Sequence, residues 1–211
     1  LKRDNNPYSV DVTVEEVESV SVSSKMLADK TGYIRISEFT GVTSEQFRSA
    51  YKKLNDAGMK SMVIDLRSNP GGLVTGVCDT LRQILPKGII VYTEDKYGNR
   101  EEQTCDGKNR IDIPLAVLVN KSSASAAEIF AGAVKDYGIG TIVGTDTYGK
   151  GVVQDTYQLK EGGALKITVS HYFTPKGHNI NGKGITPDVE IDLPEDSSED
   201  VQLDKALGVL N

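Results

Sequence analysis

Two stretches limit what this chain can fold into more than any others: "KSMVIDLR", ending at Arg67, and "IPLAVLVN", ending at Asn120. Both are largely apolar on successive positions. A strand of that kind needs cover on both faces, which parallel sheets flanked by helices provide. Each is followed by a tight turn and then by apolar residues at helical spacing. "SNPGG" leads into "LVTGVCDTLRQIL", which Pro86 ends, and "NKSS" leads into "SASAAEIFAGAVKDYG", which Gly138 closes. Upstream, the strand "GYIRISEF" precedes "TSEQFRSAYKKLNDAG", a helix in which Thr43 and Gln46 have capping-box spacing and Gly58 is the stop. Downstream, "GTIVGTD" is one more strand. Units of strand, strand and helix thus recur from Gly32 to Gly144. They predict an α/β domain with a mostly parallel, helix-covered sheet.

The remaining segments fit around that core. "GIIVYTED" and "REEQTCD" read as strands joined by a hairpin at "KYGN". "VVQDTYQL" and "GALKITVSHYFTP" alternate as strands do. "GHNINGKGITPDVEI" is rich in turn residues and then extended. "SSEDVQLDKALGVLN" closes with a short helix capped by Ser198 or Asp200. Residues 1–20 contain "YSVDVTVEEV", which reads as one leading strand, so the division is 1–20 ahead of a core at 21–211.

Several function classes fall away on composition. The 211 residues carry a net charge of −6 and 6% aromatics, with no basic stripe, so nucleic acid is not the expected partner. No run of about 18 apolar residues crosses a membrane. Cys78 and Cys105 lie in different elements; one disulfide between them stays open, and two unpaired, half-buried thiols are the favoured reading. With His171 and His178 they give no metal-ligand spacing. No metal or cofactor is expected.

"VGTDTYGKGVVQ" has the G-x-x-x-x-G-K spacing of a phosphate loop, Gly144 to Lys150. Such a loop needs a helix after it and a Ser or Thr after the Lys. Here Gly151 follows, and the next residues are β-branched. The nucleotide reading fails on both counts. Taken alone, the motif is a hairpin turn with an exposed Lys150.

Ser122, Ser123 and Ser125 crowd the mouth of the Ala-rich helix. Ser125 and Glu128 fit a capping box, which is one reading. The other uses the same geometry: a Ser at a strand-to-helix junction is exposed, beside N–H groups able to hold an oxyanion. Neither histidine has the context of a triad base, and both read as structural. A Lys made partly neutral by desolvation can serve instead, and Lys150 sits among small and apolar neighbours. At "IDLRSNPGG", Asp65 and Arg67 read as a structural pair, or the glycines let backbone N–H groups approach a ligand.

Together, "GYIRISEF", "VIDLRSNPGG", "NKSSASAAEIFAGAVKDYG", "VGTDTYGKGVVQ" and "INGKGITPDVEI", in this order, resemble the carboxyl-terminal processing proteases, the S41 serine peptidases. The resemblance runs from about Ser21 to the end. It implies the ClpP/crotonase fold. It implies Ser125 as nucleophile, Lys150 as general base and Gln154 as the residue that positions the base. It implies an oxyanion hole from the Ala126 N–H and a glycine of the Asn-Pro-Gly-Gly turn, with Gly71 preferred to Gly72. Asp136 matches a position once given a functional acid and is expected to be structural. The implied reaction is peptide hydrolysis through an acyl-enzyme, without a cofactor, with activity rising towards alkaline pH. Implied substrates are unstructured protein C-termini with apolar end residues, bound as an added strand. The resemblance also implies an extracytoplasmic setting, an export signal or membrane anchor, and a PDZ domain ahead of the core. Residues 1–20 would be the last strand or exit of that domain. The alternative is a ligand- or peptide-binding module on the same fold.

Overall fold

The computed structural model describes residues 2–3, 6–7, 9, 13, 19–194 and 199–210. The leading strand expected at "YSVDVTVEEV" and the Ser198 cap lie outside them. Ahead of Ser19 the described strands are β1 (Lys2–Arg3) and β2 (Asn6–Pro7), an antiparallel pair.

The core is a six-stranded sheet. Its strands are β3 (Val22–Met26), β4 (Thr31–Ile36), β5 (Ser61–Asp65), β8 (Leu115–Val119), β9 (Thr141–Gly144) and β12 (Val189–Glu190). Their spatial order is β12-β9-β8-β5-β4-β3. All neighbours are parallel except β3 against β4. Helices α1 (Thr43–Asp56), α2 (Val74–Leu81) and α3 (Ala126–Tyr137) make the crossovers. The doubly apolar strands explain this architecture. Met62 and Ile64 of β5 and Leu115, Val117 and Val119 of β8 join the main core with α2 and α3. Val63, Ala116 and Leu118 face the other way, towards Ala206 and Leu203 of the last helix, α4 (Val201–Gly208). Period-two alternation thus gives each face its own helical cover.

A second sheet lies outside that frame. It contains β6 (Gly88–Asp95), β7 (Arg100–Cys105), β10 (Val152–Gln158) and β11 (Ala164–Phe173), all antiparallel, in the order β10-β11-β6-β7. The hairpin between β6 and β7 is at the expected place, with the Asp95 carboxylate accepting from the N–H groups of Tyr97 and Asn99. Ile90, Val91 and Tyr172 of this sheet enter the main core.

Two expectations change. Thr43 and Gln46 do not form a capping box: the residue before α1 is Val42, which supplies no side-chain cap. Gln46 instead accepts from the Ser21 and Val22 N–H groups, at 2.9 and 3.2 Å, and so fastens the start of β3. Cys78 and Cys105 are unpaired as expected, but fully buried rather than half-buried.

Candidate active site

Three segments meet where the parallel strands end. The first is the turn at Ser68 to Gly72, after β5. The second is Asn120 to Ser125, between β8 and α3. The third is Thr145 to Gly151, after β9. Backbone bonds stitch them together. Ala124 N–H donates to the Asn69 carbonyl at 3.0 Å, and Tyr148 N–H to the Ser123 carbonyl at 2.9 Å.

The three serines are not equivalent. Ser123 is buried, its hydroxyl donating to the Leu66 carbonyl at 2.8 Å and accepting from the Asn120 N–H, so it braces the loop. Ser122 is exposed. Ser125 immediately precedes α3, with φ 55° and ψ −113°. That left-handed conformation is unfavourable for a residue with a Cβ, and such strain concentrates at functional sites. It turns the chain sharply from loop to helix. The Ala126 N–H, at the first helical position, has no intrahelical partner.

Glu128 is the residue the sequence undersold. The capping-box spacing is realised, with the Ser125 N–H donating to Glu128 Oε2 at 2.8 Å. The same oxygen accepts from the Lys150 N–H at 2.8 Å. The two amide nitrogens are therefore no farther apart than twice that distance. The other oxygen, Oε1, accepts from the Thr147 hydroxyl and the Gly149 N–H, both at 2.6 Å. Glu128 itself is 0% exposed. The Gly-Lys loop is indeed an anion nest, and the anion it holds belongs to the protein. The Gly149 and Lys150 N–H groups are thereby committed to Glu128 rather than open to a phosphate.

Ser125 and Lys150, 25 residues apart in sequence, are thus brought together through one carboxylate oxygen. The Lys150 side chain is exposed. Gln154 lies on β10, also exposed, and forms no hydrogen bond with Lys150. Gly71 packs directly on the serine: a Cβ at Gly71 would lie 2.8 Å from Ser125 Cβ and 3.0 Å from the Ala126 nitrogen. Its N–H, however, donates to Asn69 Oδ1 at 2.8 Å. Gly71 is buried, whereas Gly72 is exposed. Asn69 is fixed in turn, its Nδ2 donating to the Ile36 carbonyl at 2.9 Å. Among the described residues no hydrogen bond engages the Gly72 N–H.

A cavity of about 350 Å³ adjoins these segments, lined by Val74, Val91, Val153, Asp155 and Tyr172 among others. Val74 follows the glycine turn and Val153 follows the Lys150 loop. Tyr172 N–H donates to the Gly151 carbonyl at 2.9 Å.

Asp65 is 0% exposed and paired with Arg67 at 2.7 Å. Asp136 accepts from the Lys176 N–H at 2.7 Å, holding the turn after β11. His171 is exposed on β11, where it pairs with Val152 of β10, and His178 Nε2 lies 3.9 Å from Asp136, at the opposite end of α3 from Ser125.

Comparison with known proteins identifies the family. A sequence profile of peptidase family S41 matches residues 30–191. The chain is 40% identical over 185 residues to a carboxyl-terminal-processing protease of Synechocystis sp., covering 85% of this chain and 43% of that protein. It is 39% identical over 204 residues to a probable CtpA-like serine protease of Staphylococcus aureus, covering 95% of this chain and 41% of the other. The chain spans less than half the length of these curated relatives. Among solved structures, a photosystem II D1 C-terminal processing protease superposes with a TM-score of 0.77 at 34% identity, over 93% of this chain and 54% of that one. On the profile match and on these identities, the chain belongs to peptidase family S41, a family of serine-type peptidases.

Proposed function

We propose that this chain is the core of a serine endopeptidase that cuts C-terminal regions of protein substrates, with Ser125 as nucleophile and Lys150 as general base. The carrying observation is the shared Glu128 oxygen, which sets the Ser125 and Lys150 amides side by side. Ser125 attacks the peptide carbonyl as Lys150 accepts its proton. Lys150 then protonates the leaving amine, and water resolves the acyl-enzyme by the same route. A lysine base must be neutral when it accepts the proton, and exclusion of water favours the neutral form. Lys150 is exposed here, so a substrate strand laid across the cleft would supply that cover.

The Ala126 N–H is the first oxyanion donor in this reading. For the second we move the assignment from Gly71 to Gly72. The Gly71 N–H is committed to Asn69, while Gly72 is exposed with its N–H unengaged. Gly71 keeps a steric role, since any Cβ would press on Ser125. Gln154, exposed on β10, would reach the base once substrate is bound. The neighbouring cavity, which mixes valines and Tyr172 with the carboxylates of Asp95, Glu101 and Asp155, would take substrate side chains beside the cut. An extracytoplasmic setting is part of the proposal. No described helix is long and apolar enough to cross a membrane.

Cleavage of unfolded β-casein tests this reading. We expect activity in the parent chain and none in Ser125→Ala or Lys150→Ala. Equal activity in all three would remove both assignments. Tight peptide binding with no cleavage by any form would favour a binding module on the same fold.

A further inference from the structure

The proposed reaction uses Ser125 and Lys150 and leaves a buried carboxylate unexplained. Glu128 is 0% exposed and forms no ion pair among the described residues. An ionised carboxylate in such a place is costly unless hydrogen bonds satisfy it. Here four donors do so, two on each oxygen, and three of the four are backbone N–H groups. None comes from the body of α3. One is the nucleophile's own amide, and three come from the loop that carries the base. A helix cap needs only the first. The fourth group, the Thr147 hydroxyl, also accepts from the Ile185 N–H at 2.7 Å. This extends the bracket into the loop at Ile180 to Ile185, whose Gly182 N–H donates to the Gly149 carbonyl at 2.8 Å. The "INGKGI" segment, to which the proposed chemistry assigns nothing, thus forms the outer wall of the base loop.

We infer that Glu128 is a positioning residue that sets the distance between Ser125 and Lys150 by holding the amides of both on one carboxylate. This inference rests on the proposed Ser125–Lys150 pair. The carboxylate touches no substrate. It fixes where two reacting side chains start from. Misplacement of reacting groups by about 1 Å can cost on the order of 100-fold in rate.

Two substitutions separate this role from simple capping. Glu128→Asp keeps the charge at the helix start and can still cap, but is one methylene too short to span both segments. Glu128→Gln keeps the length but turns an NH2 towards two donors. The experiment compares both with the parent by thermal melting, by kcat and KM on an unstructured fluorogenic peptide, and by the amide proton shifts of Ser125, Gly149 and Lys150. Positioning predicts that kcat falls roughly 100-fold in both variants while KM stays within about threefold. It also predicts that the three amide protons, downfield in the parent through charge-assisted bonding, move upfield together in Glu128→Gln. A Glu128→Asp chain with parental kcat would overturn the inference and leave a cap. Unmoved amide shifts in Glu128→Gln would overturn it too. Should Glu128→Gln fail to fold, Glu128→Asp carries the test. If the parent cleaves nothing, the function proposal fails, while the amide shifts still decide whether the bracket exists.

Discussion

Ser125 carries a positive φ without being glycine, and the strain has a measurable sign. Residues in such regions cost on the order of 1–3 kcal/mol. Ser125→Gly would remove that cost and lose some stability through a freer unfolded chain, about 0.4–1 kcal/mol. Ser125→Ala keeps the strain. Glycine should therefore give the more stable of the two variants, by about 1 kcal/mol in urea denaturation. Equal stabilities would mean that the elbow is unstrained. At the neighbouring turn, a Cβ at Gly72 would meet the Phe39 carbonyl oxygen, and one at Gly71 would meet Ser125 Cβ at 2.8 Å. Gly71→Ala is expected to lower kcat by at least roughly tenfold through displacement of Ser125, the proposed nucleophile. A Gly71→Ala chain with parental kcat would show that the two segments yield freely. At this scale much of the site was legible. Ser125, Ala126 and Lys150 stand at junctions that turn residues and a helix pattern reveal. Glu128 was legible only as a cap, because its other three donors lie 19 to 22 residues away. The Asn69 bond to Gly71 is local, yet nothing in "SNPGG" says which glycine amide it will take.

Elements fared differently according to how local their causes are. The parallel strands announce themselves because burial on both faces writes an apolar run, and α3 because small residues, a cap and Gly138 coincide. The division into two sheets was not legible. β11 pairs with β6 across 75 to 81 residues of chain, and no local pattern encodes such a partner. The attachment of α4 is another long-range device. Arg67 forks between Asp65 and Asp200, its Nη2 donating at 2.7 and 2.8 Å, and Asp200 also caps α4 by accepting from Leu203 N–H at 3.0 Å. Burial works against the Arg67 cation, but hydrogen bonds and charge from Asp200 and Asp65 hold its pKa above the ordinary value. The Arg67 hydrogen bond in turn lowers the Asp200 pKa from 3.8, with help from Leu203. A lowered folded value means stability that is present above the unfolded pKa and lost as pH falls through the folded one. Asp200→Ala should cost about 1–2 kcal/mol at neutral pH through the cap and the exposed side of the pair. Asp200→Asn retains the cap and should cost less. Both variants should lose less stability than the parent as pH drops below about 4. Parallel acid melts for all three chains would remove Asp200 from the account.

Across the whole molecule, the question is whether the site's two supports unfold together. Ser125 and Lys150 stand on the six-stranded sheet, while the strand that continues from Lys150 belongs to the other one. The two cysteines report on both. Cys78 lies in α2 at 0% exposure, and Cys105 ends β7 at 4%, its thiol donating to the Leu85 carbonyl at 3.4 Å. Burial pushes the Cys78 thiol up to about 11, so folded Cys78 gives little thiolate for any reagent, and burial keeps reagents from Cys105. Both belong to one core cluster, which runs from Ile34 and Phe130 through Val91 and Tyr172. A sheet that shares its buried side chains with the helices cannot leave without opening the cavity they fill. Both thiols should therefore become reactive in one urea transition, coincident with loss of helical circular dichroism. Site-resolved mass spectrometry of the labelled chain distinguishes them. Labelling of Cys105 at clearly lower urea than Cys78 would mean that the antiparallel sheet opens on its own. The strand leading out of Lys150 would then have a separate stability, and Lys150, the proposed base, could be displaced while Ser125 stayed on its elbow. Joint labelling would instead make the pair's geometry as stable as the fold itself.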